Sequence, residues 1–145
     1  MTHAPASFTR PAATRWRRMV PPSLTIAGLG VATLALHLRD PHQQGAWGFC
    51  PSAALGFWCP GCGGLRAVND LSNFRVLDAA SSNLLFIASL PLLAFIFYRW
   101  TAGRWTDRRW DPSERWMNVA AAIAVVAMVT FTVLRNTTAG SWLAP

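Results

Sequence analysis

Cys50, Cys59 and Cys62 are the three cysteines of a 145-residue chain, and two of them bracket Pro60-Gly61 just ahead of Gly63 and Gly64. A Cys-Pro-Gly-Cys-Gly turn running into a helical-looking segment places two sulfurs on one side and leaves backbone N–H groups free. That arrangement suits a metal, a disulfide or a reactive thiolate. Three readings follow from it. In the first, Cys59 and Cys62 exchange disulfides with Cys50 as the resolving thiol. Trp58 before the motif and a helix after it resemble thiol oxidoreductases, and Arg66, one turn into the helix, raises the local positive potential. No βαβ pattern surrounds the motif, which speaks against a thioredoxin-like scaffold. In the second, the turn is a metal knuckle whose thiolates sit about 2.3 Å from zinc. Cys50 and His42 would complete the ligand set, but the usual second Cys-x-x-Cys is missing, which speaks against this reading. In the third, Pro60, Gly61 and Gly63 form a tight helix entry, and a bridge from Cys50 to Cys59 or Cys62 staples the loop.

The elements that must position these residues are membrane spans. Hydrophobic residues make up 52% of the chain, and they gather into blocks that charges avoid. The expected fold is all-α, with spans over about 20–38, 83–100 and 117–134, each near the roughly 20 residues that cross a bilayer. Gly28 and Ala32 in the first span, and Ala120, Ala124 and Ala127 in the third, make small-residue faces for close helix contact. Pro91 falls in the middle of the second span and predicts a kink, with Ser89 available to the freed carbonyls. Residues 1–19 read as a disordered basic tail, the first span after it as an uncleaved anchor, and 136–145 as a short tail.

Between the first two spans lies a connector, 41–82, too long for a simple turn. Leu65, Val68 and Leu71 recur on one side of Gly64–Ser72, and Arg66, Asp70 and Asn73 on the other. The spacing predicts a short amphipathic helix with an Arg66–Asp70 pair at i, i+4. Trp47, Phe49, Phe57 and Trp58 are expected to anchor the loop at the membrane interface.

All 13 basic residues are arginines, giving a net charge of +7. Four precede the first span and five lie from Arg99 to Arg115; the remaining four are Arg39, Arg66, Arg75 and Arg135. This asymmetry puts the N-terminus and the 101–116 loop in the cytoplasm and the cysteine loop outside. Arginine interleaved with Trp105, Trp110 and Trp116 fits an interfacial belt, so nucleic acid is not an expected partner. The absence of lysine, with abundant alanine and arginine, resembles the usage of a GC-rich bacterial genome.

Cys50-Pro51, then Gly56, then Cys59-Pro60-Gly61-Cys62-Gly63-x-x-Arg66-Ala67, then Asn83 before an apolar helix, resembles the small bacterial membrane proteins grouped as domain of unknown function 2752. The resemblance covers roughly Phe49 to Trp100, with Arg135-Asn136 after the last span. Leu65 stands where threonine is common in that group, and Leu84 where proline commonly follows the asparagine. The resemblance implies a polytopic membrane protein and no established activity. The expected function is a non-enzymatic accessory or scaffold of the bacterial plasma membrane, with a stapled outer loop and a membrane-protein partner or a second copy. No His, Asp or Glu cluster for acid–base catalysis is visible. The alternative is thiol-disulfide or metal handling through Cys59 and Cys62.

Overall fold

The computed structural model describes residues 14–43, 50–108 and 110–144. Most of the basic tail, the expected anchors Trp47 and Phe49, and Arg109 lie outside the described residues. Every regular element among the described residues is helical: α1 (Arg15–Leu38), α2 (Pro51–Ala54), α3 (Gly64–Ser72), α4 (Val76–Ser82), α5 (Leu84–Thr106) and α6 (Glu114–Arg135), followed by a 3₁₀ turn over Thr138–Leu143. Helices α1, α5 and α6 are each long and apolar enough to cross a membrane. At 1.5 Å per residue the 22 residues of α6, the shortest of the three, reach about 33 Å, against a hydrocarbon core of about 30 Å. The protein is an all-helical membrane protein.

All three spanning helices run beyond their apolar blocks, α6 (Glu114–Arg135) by a few residues and α1 and α5 by five or six. Helix α1 begins at Arg15, five residues before the expected span, because its arginines find partners on α5. Arg15 stacks over Trp105 at 4.8 Å, and Arg18 pairs with Asp107. Pro21 and Pro22 are therefore interior to α1, and Pro22 leaves the Arg18 carbonyl without its intrahelical donor. Arg104 Nη1 donates to that carbonyl at 3.4 Å, and Thr25 Oγ1 donates back to the Pro21 carbonyl at 3.0 Å. Helix α5 continues to Thr106 and stops where Asp107 takes the left-handed conformation, φ 61°. Ser89 donates to the Phe86 carbonyl at 2.7 Å, not to the Ile87 carbonyl that Pro91 frees.

The spanning helices bury almost nothing in one another, and Leu92, Ile123, Val126 and Val129 are all more than half exposed. Outward apolar surface of this extent is what lipid covers. The core sits at one end of the bundle, where α3, α4 and the 3₁₀ turn pack across the C-terminus of α1, the N-terminus of α5 and the C-terminus of α6. Its members are Cys62, Ala67, Asn69, Asp70, Ala79, Ser82, Asn83, Phe131, Arg135 and Leu143. Gly140 brings the 3₁₀ turn against α6 so closely that a Cβ there would collide with the Leu134 carbonyl.

Helix α3 has the expected boundaries. The face turned to the protein carries Ala67, Asn69 and Asp70, while Leu65 is 44% exposed. Beside a bilayer this is the low-energy choice, since the polar groups find partners inside and the leucine meets apolar surroundings. Asn69 Nδ2 donates to the Leu36 carbonyl at 2.7 Å, which satisfies one of the orphan carbonyls at the end of α1. Asp70 is fully buried and takes hydrogen bonds from Arg75 Nη2 at 2.6 Å and Ser82 Oγ at 2.9 Å. The i, i+4 partnership expected for Arg66 thus goes to Arg75, reached through the Asn73–Phe74 turn, in which Phe74 has φ 60°.

Candidate metal centre

Two separate pieces of chain bring the sulfurs together. Cys50 stands within the connector just before α2, whose first residue, Pro51, is pre-set for a helix start. Cys59 and Cys62 flank a turn closed by the Cys62 N–H on the Cys59 carbonyl at 3.1 Å and the Gly64 N–H on the Gly61 carbonyl at 3.0 Å. Gly63, φ 80°, takes the left-handed conformation that lets the chain turn directly into α3. The helix N-terminus lies beside Cys62, where its dipole favours negative charge.

The sulfurs lie 2.7 Å (Cys50–Cys62), 3.0 Å (Cys59–Cys62) and 3.7 Å (Cys50–Cys59) apart, and all three cysteines are free thiols. Among the described residues these three form the group placed to hold a metal ion. Ser52, from the first turn of α2, puts its hydroxyl 3.0 Å from the Cys50 sulfur and 3.5 Å from that of Cys62. Cys62 is buried; Cys50 and Cys59 are partly open to solvent.

Sharing of protons sets the thiols apart. Cys50 is lowered to about 6, chiefly by the hydrogen bond with Cys62 and then by Ser52. Cys59 is lowered as well, again chiefly by Cys62. Cys62 is pushed up to about 11 by burial, and its bond to Cys50 adds to this. The metal-free trio therefore keeps a proton longest on the buried sulfur and offers thiolate most readily at Cys50.

Three residues far away in sequence hold the loop in place. Asn83 is 1% exposed; its Nδ2 donates to the carbonyls of Pro60 at 2.9 Å and Cys62 at 3.0 Å. Its Oδ1 accepts from the Phe86 N–H at 2.9 Å, so the same side chain caps α5. Arg135, also 1% exposed, ends α6 beneath the turn and donates Nη1 to the carbonyls of Cys59 at 2.9 Å and Cys62 at 3.2 Å. Its guanidinium lies 4.8 Å from the Phe131 ring, and its Nε and Nη2 have no hydrogen-bond partner. The next residue, Asn136, clasps Trp58 by accepting from its N–H at 2.9 Å and donating to its carbonyl at 2.8 Å.

Of the residues singled out by sequence, Cys50, Cys59, Cys62, Pro60, Gly61, Gly63 and Asn83 converge here. His42 does not join them: its Nδ1 is 2.8 Å from Asp40, and its Nε2 is 3.5 Å from the Asp70 carboxylate. The backbone N–H of His42 and then its ring lower the Asp40 carboxyl below its ordinary value. Arg66 lines a separate polar pocket with Asp70, Arg75 and Ser82. Ser52 and the contacts of Arg135 were not foreseen from sequence. The one signal for Arg135 was an Arg-Asn pair at the very end of a span, the depth at which a charged side chain can turn back into the protein.

No curated protein and no solved structure matches the chain. The segment 50–97, which holds all three cysteines, α2, α3, α4, Asn83 and the first half of α5, matches the model of a family described as protein of unknown function (DUF2752).

Proposed function

We propose that the protein binds a thiophilic divalent cation, zinc being the type case, through Cys50, Cys59 and Cys62 on the outer face of a bacterial plasma membrane. The observation that carries this reading is the convergence of three sulfurs, 2.7–3.7 Å apart, above the buried guanidinium of Arg135. Two thiolates on one tetrahedral zinc, each at about 2.3 Å, stand about 3.8 Å apart. The Cys50–Cys59 separation of 3.7 Å fits that edge, and Cys62 has to withdraw by about 1 Å from each neighbour, as its proton leaves and the ion enters. Charge supports a divalent ion. Three thiolates, one divalent cation and the Arg135 guanidinium sum to zero, the balance a buried site in low dielectric favours.

With three protein thiolates the fourth position is left to Ser52, water or an exchanging ligand. An open position of that kind belongs to sites that transfer or act through their metal. Metal handling is thus preferred to a closed structural staple. The outward orientation rests on the arginine asymmetry. Cobalt(II) titration of the reduced protein in mild detergent tests the reading. The expected result is one ion per chain, thiolate-to-cobalt absorption and tetrahedral d–d bands, all lost on Cys62→Ser. Three thiols that alkylate equally fast with and without cobalt would sink it, as would a Cys50 bridge in protein taken directly from cells.

A second reading, attachment to a membrane partner, is favoured by an apolar cleft of about 710 Å³ between α5 and α6, walled by Ala88, Ala120, Ala124 and Ala127. Small residues permit close helix approach. Copurification in mild detergent is its test, and a clean monomer counts against it.

A further inference from the structure

We propose that the arginine–tryptophan pocket at the opposite end of the bundle, formed by Arg18, Arg104, Arg108, Trp100 and Trp110, binds the phosphate of an anionic phospholipid headgroup. The pocket measures about 430 Å³ and lies where α1 begins and α5 ends. It is independent of the cysteine centre.

Charge is the first argument. Three guanidiniums face one carboxylate, Asp107, which pairs with Arg18 while staying 75% exposed. An ion pair so solvated contributes little and yields readily to a better-placed anion. An unmet donor is the second. Nε of Arg18, a residue that lines the pocket, is buried without a hydrogen-bond partner. A buried donor left unpaired is destabilising, the more so if charged, so an acceptor seated here relieves a standing penalty.

Preorganisation is the third argument. Arg104 is stacked on Trp100 at 4.8 Å and tethered to the Arg18 carbonyl that Pro22 leaves without a donor. One nitrogen is used in that tether and the rest of the fork remains for oxyanions, which guanidinium matches in geometry. Depth is the fourth. Trp100, Trp105 and Trp110 gather at this level, the position of an interfacial aromatic belt. Phe95, 53% exposed, packs edge-on against Trp110 with centroids 6.4 Å apart. An apolar wall therefore continues from the pocket along α5 toward the bilayer interior. A soluble phosphate makes no use of that wall, whereas an acyl chain lies along it. Basic pockets between spanning helices are a general solution for anionic headgroups.

The test reconstitutes the full chain in detergent with phosphatidylglycerol or phosphatidylcholine and reads retained lipid by native mass spectrometry and the melting temperature. Retention of phosphatidylglycerol over phosphatidylcholine is expected. Loss of about fivefold is expected for Arg108→Gln, and more than tenfold for Arg104→Gln with Arg108→Gln, at roughly one such factor per arginine near the surface. Arg108 is exposed, so its single variant folds even if the double one does not. Arg115→Gln, in the same charged region but outside the pocket, should change retention little. An equal loss with Arg115→Gln, or equal retention of both lipids, overturns the proposal. Glycerol 3-phosphate raising the melting temperature as much as phosphatidylglycerol at equal concentration overturns the lipid assignment.

Discussion

Arg135 reaches from the last residue of α6 to the carbonyl of Cys59, 76 positions earlier, and holds it at 2.9 Å. Through this one bond, and its companion to Cys62, the end of a spanning helix sets the height of the cysteine turn. Arg135→Met removes the donors and the neutralising charge together. Losing a donor that holds the carbonyls of two ligand cysteines lowers metal affinity about 10–100-fold. It also costs about 3 kcal/mol of stability in the metal-free protein, since two carbonyls lose a charged donor. Isothermal titration with zinc and melting of the apo form separate the two effects. Arg135→Lys keeps the charge but loses the fork, and should fall between.

Alkylation of the reduced, metal-free protein should be ordered by pH. Cys50 becomes thiolate near pH 6 and reacts first, whereas Cys62 resists until the pH nears 11. The stability profile follows in sign. Below the ordinary thiol value of 9.0 the unfolded chain holds the proton that folded Cys50 has shed, so stability rises with pH from about 6 upward. Above 9.0 folded Cys62 keeps a proton the unfolded chain has lost, so this contribution falls as pH climbs to about 11. The cysteines thus place their own optimum near pH 9, and urea midpoints across pH 6–11 check it. Saturating zinc should flatten the profile by displacing the shared proton.

Asn83→Asp keeps the oxygen that caps α5 and loses both donors to the turn. Melting should drop by the equivalent of about 2–3 kcal/mol, with helix content unchanged by circular dichroism and zinc affinity reduced. Asn83→Ala removes the cap as well and should cost about 1 kcal/mol more.

Asp70 and Arg66 should part company on mutation. Asp70→Ala leaves the half-exposed Arg75 to water and Asp78 and removes the acceptor of Ser82, for a loss of about 1–3 kcal/mol. Arg66→Ala, with no ion pair among the described residues, should stay within about 0.5 kcal/mol. Equal losses at both positions would restore the i, i+4 pair.

What the sequence by itself determined were the features carried by local periodicity and by single residue types. Three uncharged apolar blocks can only be spans, because unpaired charge is expelled from hydrocarbon. The Cys59–Gly63 turn and the boundaries of α3 follow from glycine, proline and a period of 3.6, all of which act over a few residues. Arg15–Met19 escaped this reading because cation–π and ion-pair contacts with α5 extend the helix past its apolar block. Only the tertiary structure decided which polar groups meet. It turned the polar face of α3 inward, gave Asp70 to Arg75, sent His42 to the carboxylates, and set Ser52, Asn83 and Arg135 around three sulfurs. Those partnerships depend on where α1, α5 and α6 end relative to one another, and at a membrane surface each buried polar group must find its partner inside the protein.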